Sequence, residues 1–280
     1  MGATAVAANS NDKKEEPKVG YLDVGAAGVK YGTNILEVPV DPRLRVNVRT
    51  GIDWLDKAAG GEYNPGFMPS SVTLLTAVPG GGKTTIALQA ADSCTKKKHL
   101  ALYNGREESL AKTKMTCERL GLRSGFICGE DYMLEKVLAH AMYLMMKNPN
   151  KQLFLFLDSL KTLNDGFYKD GAVNSMTPVR VMQRLIEFCK ATYAIAVVIG
   201  HVTKDGKFEG KQQIKHDLDA HAHIHFDTNK KSDTYGRRVF SYSKNRCGPA
   251  SMDGTILDMD ATHGVKLAGT MTLDGIPSDD

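Results

Sequence analysis

Residues 77–84 read Ala77-Val78-Pro79-Gly80-Gly81-Gly82-Lys83-Thr84, and the rest of the chain is organised around them. Three consecutive glycines let backbone N–H groups turn inward around an anion, a concavity that side chains would obstruct. A helix starting at the end of the run adds the positive end of its dipole. The run fits a P-loop with Ala77 where the first glycine usually stands. In that pattern Lys83 reaches the β and γ phosphates of a nucleoside triphosphate, and Thr84 offers its hydroxyl to Mg²⁺. Pro79, Gly80, Gly81, Gly82, Lys83, Thr84 and Thr85 are the expected phosphate-holding residues, with ATP and Mg²⁺ as the expected ligands. The plain alternative is a glycine turn that ends in Lys-Thr by coincidence.

The flanks argue against coincidence. Val72-Thr73-Leu74-Leu75-Thr76 reads as a buried strand, and Thr84-Thr85-Ile86-Ala87-Leu88-Gln89-Ala90-Ala91 as a helix of good formers. Lys96-Lys97-Lys98 then places positive charge at that helix's C-terminus, where the dipole favours it. His99-Leu100-Ala101-Leu102-Tyr103 predicts a strand, 108–120 a helix, and 131–147 a helix whose leucines and methionines fill core. The most apolar strand, Leu153-Phe154-Leu155-Phe156-Leu157, ends on Asp158. A polar, glycine-bearing segment (164–177) leads to a helix over 178–191 and a buried strand, Ala194-Ile195-Ala196-Val197-Val198-Ile199. Strands alternating with helices predict an α/β fold with a mainly parallel sheet covered on both faces. From about residue 219 the pattern turns to β pieces without intervening helices, which extend the sheet at one edge.

Upstream, Thr50-Gly51-Ile52 precedes a short helical patch at Trp54-Leu55-Asp56 and a turn-rich stretch from Gly60 to Gly66. Residues 1–19 carry many charges and little to bury, so a disordered tail is expected. An extended lead-in is expected over 20–49, one ATPase-sized domain over 50–270, and a short tail over 271–280. A net charge of +4 is too small to announce a nucleic-acid binder, although it permits local basic loops. Cys94, Cys117, Cys128, Cys189 and Cys247 are odd in number and form no C-x-x-C pair. Neither a disulfide framework nor a zinc module is indicated, and a reducing, cytoplasmic compartment is expected. No apolar run approaches the roughly 20 residues of a membrane helix, and no signal-peptide pattern opens the chain.

Three further segments bear on chemistry. Asp158, ending the apolar strand, can sit beside the P-loop and hold Mg²⁺ in the Walker B role. Glu107-Glu108 follows the strand at 99–103, so a carboxylate there can orient and deprotonate an attacking water. Glu-Glu-Ser is also a good helix start, and on local sequence alone that reading wins. Gly200-His201-Val202-Thr203-Lys204 follows the strand at 194–199, where a polar residue can sense a γ-phosphate; a lone histidine is more often structural.

Taken in order, these matches resemble a known family. Thr50-Gly51-Ile52 with Leu55-Asp56, the P-loop, Arg106-Glu107-Glu108-Ser109, Arg119-Leu120-Gly121-Leu122, Asp158-Ser159 with Lys161-Thr162, Gly200-His201-Val202-Thr203-Lys204-Asp205-Gly206 and Lys244-Asn245-Arg246-Cys247-Gly248 are similar to the RecA-like ATPase core of the bacterial RadA/Sms proteins, within the RecA/DnaB/KaiC superfamily. The last segment resembles the Lys-Asn-Arg-Phe-Gly signature of that family. The resemblance covers about residues 45–265 and implies a RecA-like P-loop core with antiparallel strands at its C-terminal edge. It implies that Glu107 is the catalytic base and His201 the γ-phosphate sensor, with Lys244 and Arg246 acting on ATP held by a neighbouring subunit. A site completed by a neighbour implies a ring or a filament. Cys247 replaces the signature's aromatic, and Arg106 stands where family members commonly carry glycine. The family's four-cysteine zinc module and Lon-protease-like domain have no counterpart in these 280 residues.

The resemblance also places DNA-facing loops at 164–177 and 204–216. Phe167, Tyr168 and Lys169 in the first offer stacking and a phosphate contact. Lys204, Lys207, Lys211 and Lys215 in the second, with Phe208, make a local basic patch; a solvated loop is the bland alternative. His221, His223 and His225 alternate along a strand and so share one face, opposite Ala222, Ile224 and Phe226. Alternating imidazoles can bind Zn²⁺ or Ni²⁺, and a polar strand face is the plainer reading. The expectation is therefore an ATP-hydrolysing, DNA-binding protein of recombination, repair or replication, a DNA-stimulated motor on single-stranded or branched DNA, with a recombinase or replication protein as a possible partner. A DnaB-like helicase core and a KaiC-like ATP-gated assembly protein are the alternatives.

Overall fold

The computed structural model describes residues 34–168, 171–202, 212–232, 234–249 and 254–271. The tail at 1–19, the start of the lead-in and the tail beyond 271 lie outside these. Short 3-10 turns at Ile35–Glu37 and Pro42–Arg45 interrupt the lead-in. Then follow α1 (Asp53–Gly60), β1 (Val72–Ala77), α2 (Lys83–Lys96), β2 (Leu100–Gly105), α3 (Leu110–Arg119) and β3 (Ile127–Gly129). Next come α4 (Leu134–Lys147), β4 (Leu153–Asp158), α5 (Thr177–Thr192), β5 (Ile195–His201) and α6 (Gln212–Asp217). Four strands end the described chain: β6 (Ala220–Phe226), β7 (Arg238–Asn245), β8 (Gly254–Asp260) and β9 (Gly264–Met271).

Every residue of β1, β2 and β4 is buried, as runs of continuous apolar character require when both sheet faces are covered. The strands form one sheet in the order β3-β2-β4-β5-β1-β6-β7-β8-β9. Pairing is parallel from β3 through β6 and antiparallel from β6 to β9. This is the α/β architecture expected, with β6 continuing the parallel half before the antiparallel edge begins. One core layer packs α4, α5 and α6 against Leu74, Leu155 and Val198. The other packs α1 and α2 against Leu75, Phe154 and Phe156. Phe154 and Phe156, at most 2% exposed, each contribute roughly 1.5–3 kcal/mol by burial.

Local chemistry fixes the entrance to this core. The Asp56 carboxylate is buried and accepts hydrogen bonds from the Thr50 amide, the Thr50 hydroxyl and the Gly51 amide. The Thr50-Gly51-Ile52 match thus ties the chain entering α1 to a carboxylate within that helix. Two elements differ from expectation. Gln212–Asp217 is helical rather than loop, because Ile214, and Leu218 just beyond the helix, are buried against the α5 side of the core. The edge strand β3 has no counterpart in the sequence reading; it is three residues long and two of them are exposed, so it carries little apolar signal.

Candidate active site

The carboxyl ends of β1, β2, β4 and β5 meet at one edge of the sheet, where open α/β sheets carry their ligands. Ala77 pairs with His201, and Gly105 with Asp158, so the P-loop, Asp158, Glu107 and His201 are brought to one place by register. Gly82, at φ 98°, turns the chain into α2 in a conformation that side chains resist. The resulting cleft, about 350 Å³, is lined by residues 79–85 with Glu107, Asp158, His201 and Met259.

Within it, the Lys83 ammonium donates to the Ala77 carbonyl at 2.9 Å. The Thr84 hydroxyl donates to Asp158 Oδ2 at 2.7 Å, and the Tyr103 hydroxyl donates to the same oxygen at 3.0 Å. Asp158 Oδ1 is buried with no hydrogen-bond partner. Burial raises the Asp158 pKa above the ordinary carboxylate value, against the opposing pull of the two hydroxyls. A hard divalent cation fits this pair of oxygens: it would satisfy the bare Oδ1 beside the Thr84 hydroxyl and favour the ionised form.

Glu107 anchors a second cluster. Its Oε1 accepts from the Ser159 hydroxyl at 2.7 Å and lies 2.8 Å from His201 Nε2, with Lys161 Nζ at 3.8 Å. Ser159 Oγ and His201 Nε2 are 3.1 Å apart. Burial pushes the Glu107 pKa up, but the Ser159 hydrogen bond, His201 and Lys161 together bring it below the ordinary value. Glu107 is therefore a carboxylate at neutral pH.

Ser159 and Tyr103 are not among the residues expected here. Ser159 stands in the Asp158-Ser159 match, but nothing local in the sequence assigns it a role. Arg238 is a further addition. Its guanidinium lies 5.0 Å from the Phe226 ring and donates to the Gly80 carbonyl at 3.4 Å, bracing the P-loop from β7.

Lys244 and Arg246 do not join this cluster. The Lys244 ammonium donates to the carbonyls of Lys215 and His216, and the Arg246 guanidinium to that of His216. Because β7 runs antiparallel to β6, Arg238 borders the P-loop end while Lys244 pairs with His221 near the opposite end. Six residues of strand separate them, roughly 20 Å.

Of the residues expected to meet DNA, Phe167 is 65% exposed and packs edge-to-face on Tyr168 at 5.0 Å. Arg180 lies 4.4 Å from the Phe167 ring and is ion-paired with Asp165. Lys215 sits on α6. Lys169, Lys204, Lys207 and Lys211 lie outside the described residues.

His221, His223 and His225 share one face of β6, as their alternation predicts, and the last two rings stack at 5.8 Å. The Thr76 hydroxyl lies 2.8 Å from His221 Nε2 and 2.9 Å from His223 Nδ1, while Ser243 Oγ lies 2.6 Å from His221 Nδ1. Among the described residues no cluster of histidine, cysteine or carboxylate side chains has the arrangement of a metal site. The His221 and His223 imidazoles join β6 to its neighbours, both to Thr76 on β1 and His221 also to Ser243 on β7.

No family model matches the chain. The DNA repair protein RadA of Mycobacterium tuberculosis is 32% identical over 244 residues, 81% of this chain and 48% of that protein. The Brucella abortus DNA repair protein RadA is 30% identical over 207 residues, 73% of this chain and 42% of its own length. The chain thus spans about half the length of these relatives. Among solved structures, an ATPase domain superposes with a TM-score of 0.67 at 14% identity, over 83% of this chain and 93% of that one. That likeness supports the fold.

Proposed function

The chain belongs among the RecA-like ATPases related to the RadA DNA repair proteins, and from that premise we propose that it hydrolyses ATP with Mg²⁺ on DNA, in sites shared between neighbouring subunits. The observation that carries the reading is the double cluster at the P-loop. Thr84 and Asp158 present oxygens for a cation on one side, and Glu107 stands ready as a base on the other.

The residues divide the work of phosphoryl transfer. Backbone N–H groups of residues 80–84 and the Lys83 ammonium bind and orient the phosphates. Thr84 and Asp158 would hold Mg²⁺, which when bound neutralises charge on the phosphate oxygens. Glu107 accepts the proton of the attacking water, and Ser159 keeps its carboxylate ionised and aimed. His201, donating to Glu107 from Nε2, is poised to exchange that bond for one to a γ-phosphate oxygen. It ends β5 three positions before the lysine-bearing segment 204–216, so phosphate occupancy and DNA contact can be coupled through one strand end.

Lys244 and Arg246 sit too far from their own P-loop to serve it, which supports a role on a neighbour's ATP. A cation supplied this way stabilises the spread charge of the transition state and couples turnover to assembly. No helix among the described residues is long and apolar enough to cross a membrane. The test is ATP hydrolysis with and without single-stranded DNA at low salt, with Mg²⁺ present or chelated. Mg²⁺-dependent, DNA-stimulated turnover is expected. Turnover indifferent to DNA, with no DNA affinity, would leave an ATP-gated assembly protein instead.

A further inference from the structure

We propose that the sheet edge opposite the P-loop carries a second DNA surface, one for duplex, built on Arg49, Lys96, Lys97, Lys98 and Lys151. The inference rests on the DNA-acting reading above and extends it beyond the loops at the P-loop edge. β2, β4 and β5 start side by side, with Leu100 paired to Leu153 and Phe154 to Ile195. The residues just before them form one row, six strand residues or roughly 20 Å from the P-loop edge.

Contacts tie this row together. The Leu100 amide donates to the Gln152 carbonyl at 2.8 Å, which brings the segment of Lys98 beside that of Lys151. The Gln152 side-chain amide donates to the Tyr193 carbonyl at 2.7 Å, and Arg43 lies 3.7 Å from the Tyr193 ring. On the other side, the Lys97 stem lies over Gly51, two positions from Arg49; a Cβ built at Gly51 would come within 2.9 Å of Lys97 Cε. All five cations are exposed, and among the described residues none of them has an ion-pair partner. Two acids border the row and both are committed, Asp41 to Arg43 and Asp56 to Thr50 and Gly51.

Helix dipoles draw lysines to the end of α2. They do not account for Arg49, which stands before the N-terminus of α1, or for Lys151, in the turn before β4. Lys98 sits at φ 69°, a conformation that glycine adopts with less strain. On a chain of net charge +4, this row concentrates positive potential where a phosphate backbone would lie. Single-stranded DNA also calls for rings on which its bases stack. Here Tyr193 lies under Arg43, and His99 leans on Phe154 at 5.6 Å. The row therefore offers phosphate contacts alone, which suit a duplex. Lys244, on the same edge, ends β7 four strand spacings from β4, roughly 19 Å, so the row is distinct from the pair proposed to reach a neighbour's ATP.

Fluorescence anisotropy of the full chain with labelled duplex and single strand, each about 20 nucleotides long, across a salt series tests this. Lys97→Gln, Lys98→Gln and Lys151→Gln together keep polar stems and remove three charges. They should flatten the slope of log duplex affinity against log salt by about 2–3 and weaken duplex binding at least about tenfold near 0.1 M salt, leaving single-strand affinity within about twofold. Arginine at the same three positions should hold duplex affinity within about threefold. Unchanged duplex binding in the glutamine variant, equal loss on both DNAs, or loss in the arginine variant would overturn the duplex surface. Wild-type protein that binds the single strand but not the duplex overturns it as well; if that protein binds phosphatidylserine vesicles, the row faces a membrane instead. Wild-type protein that binds neither DNA overturns the DNA reading itself.

Discussion

Asp158 divides its two oxygens unequally. Oδ2 takes both hydroxyls, from Thr84 and Tyr103, while Oδ1 is buried with no hydrogen-bond partner. An amide in its place keeps an acceptor for the hydroxyls but loses the charge a cation needs. Asp158→Asn is therefore expected to raise the Mg²⁺ concentration for half-maximal turnover at least about tenfold, read by titrating Mg²⁺ at fixed ATP. Glu107→Gln should cut kcat by about 10²–10⁴ while ATP affinity stays within about threefold, since its proton-accepting oxygen is removed but no phosphate contact is. Equal loss of binding and turnover would reassign Glu107 to nucleotide holding. At this scale the sequence is informative where spacing is rigid. Lys83 and Thr84 are fixed by their offset from the glycines, and Asp158 by ending an apolar strand. Tyr103 reads only as part of a strand, because its tie to Asp158 spans 55 positions and exists only once β2 and β4 are neighbours. Met259 is equally unreadable, since nothing local marks one methionine among twelve as facing a cleft.

The histidine-bearing strand shows how an element settles what a pattern leaves open. Alternation places three imidazoles on one face of β6. What they face is set by β1 on one side and β7 on the other, through Thr76 and Ser243. Burial, then Lys215 and His223, lowers the His221 pKa to about 4. The depressed folded value means the unfolded chain binds the extra proton first, so stability is lost as pH falls from 6.5 toward 4. The loss should reach about 3 kcal/mol near pH 4, and His221→Gln should remove most of that dependence in urea unfolding between pH 7 and pH 4.5. An unchanged pH profile in the variant would assign the acid sensitivity elsewhere. On the neighbouring segment, replacing Lys204, Lys207 and Lys211 by alanine should lower the slope of log affinity for single-stranded DNA against log salt by about 2. The helix α6 just after them reads as loop in the sequence, because six residues give too short a period to separate from a polar turn.

At the scale of the whole molecule, the order of strands does what no single motif can. The parallel half, β3 through β6, gathers the P-loop, Glu107, Asp158 and His201 at one edge. The antiparallel turn into β7 sends Lys244 and Arg246 to the other end. The alternation of strands and helices makes the α/β class and the parallel sheet legible from the sequence. The placement of Lys244 and Arg246 is not legible there, because it depends on the direction of β7 rather than on its composition. Their distance from the P-loop of the same chain supports the requirement proposed above, that any ATP they touch is a neighbour's.

Mixing two silent variants tests that requirement most directly. Glu107→Gln removes the base but leaves Lys244 and Arg246 intact, whereas Arg246→Ala leaves the P-loop cluster intact and removes the donated cation. Each alone should turn over ATP at least about 100-fold more slowly than the wild type. Combined in equal amounts under conditions of subunit exchange, about a quarter of the contacts between subunits pair an intact site with an intact Arg246. The DNA-stimulated rate of the mixture should then recover to roughly that fraction of the wild-type rate. A mixture no faster than its components would contradict the shared site.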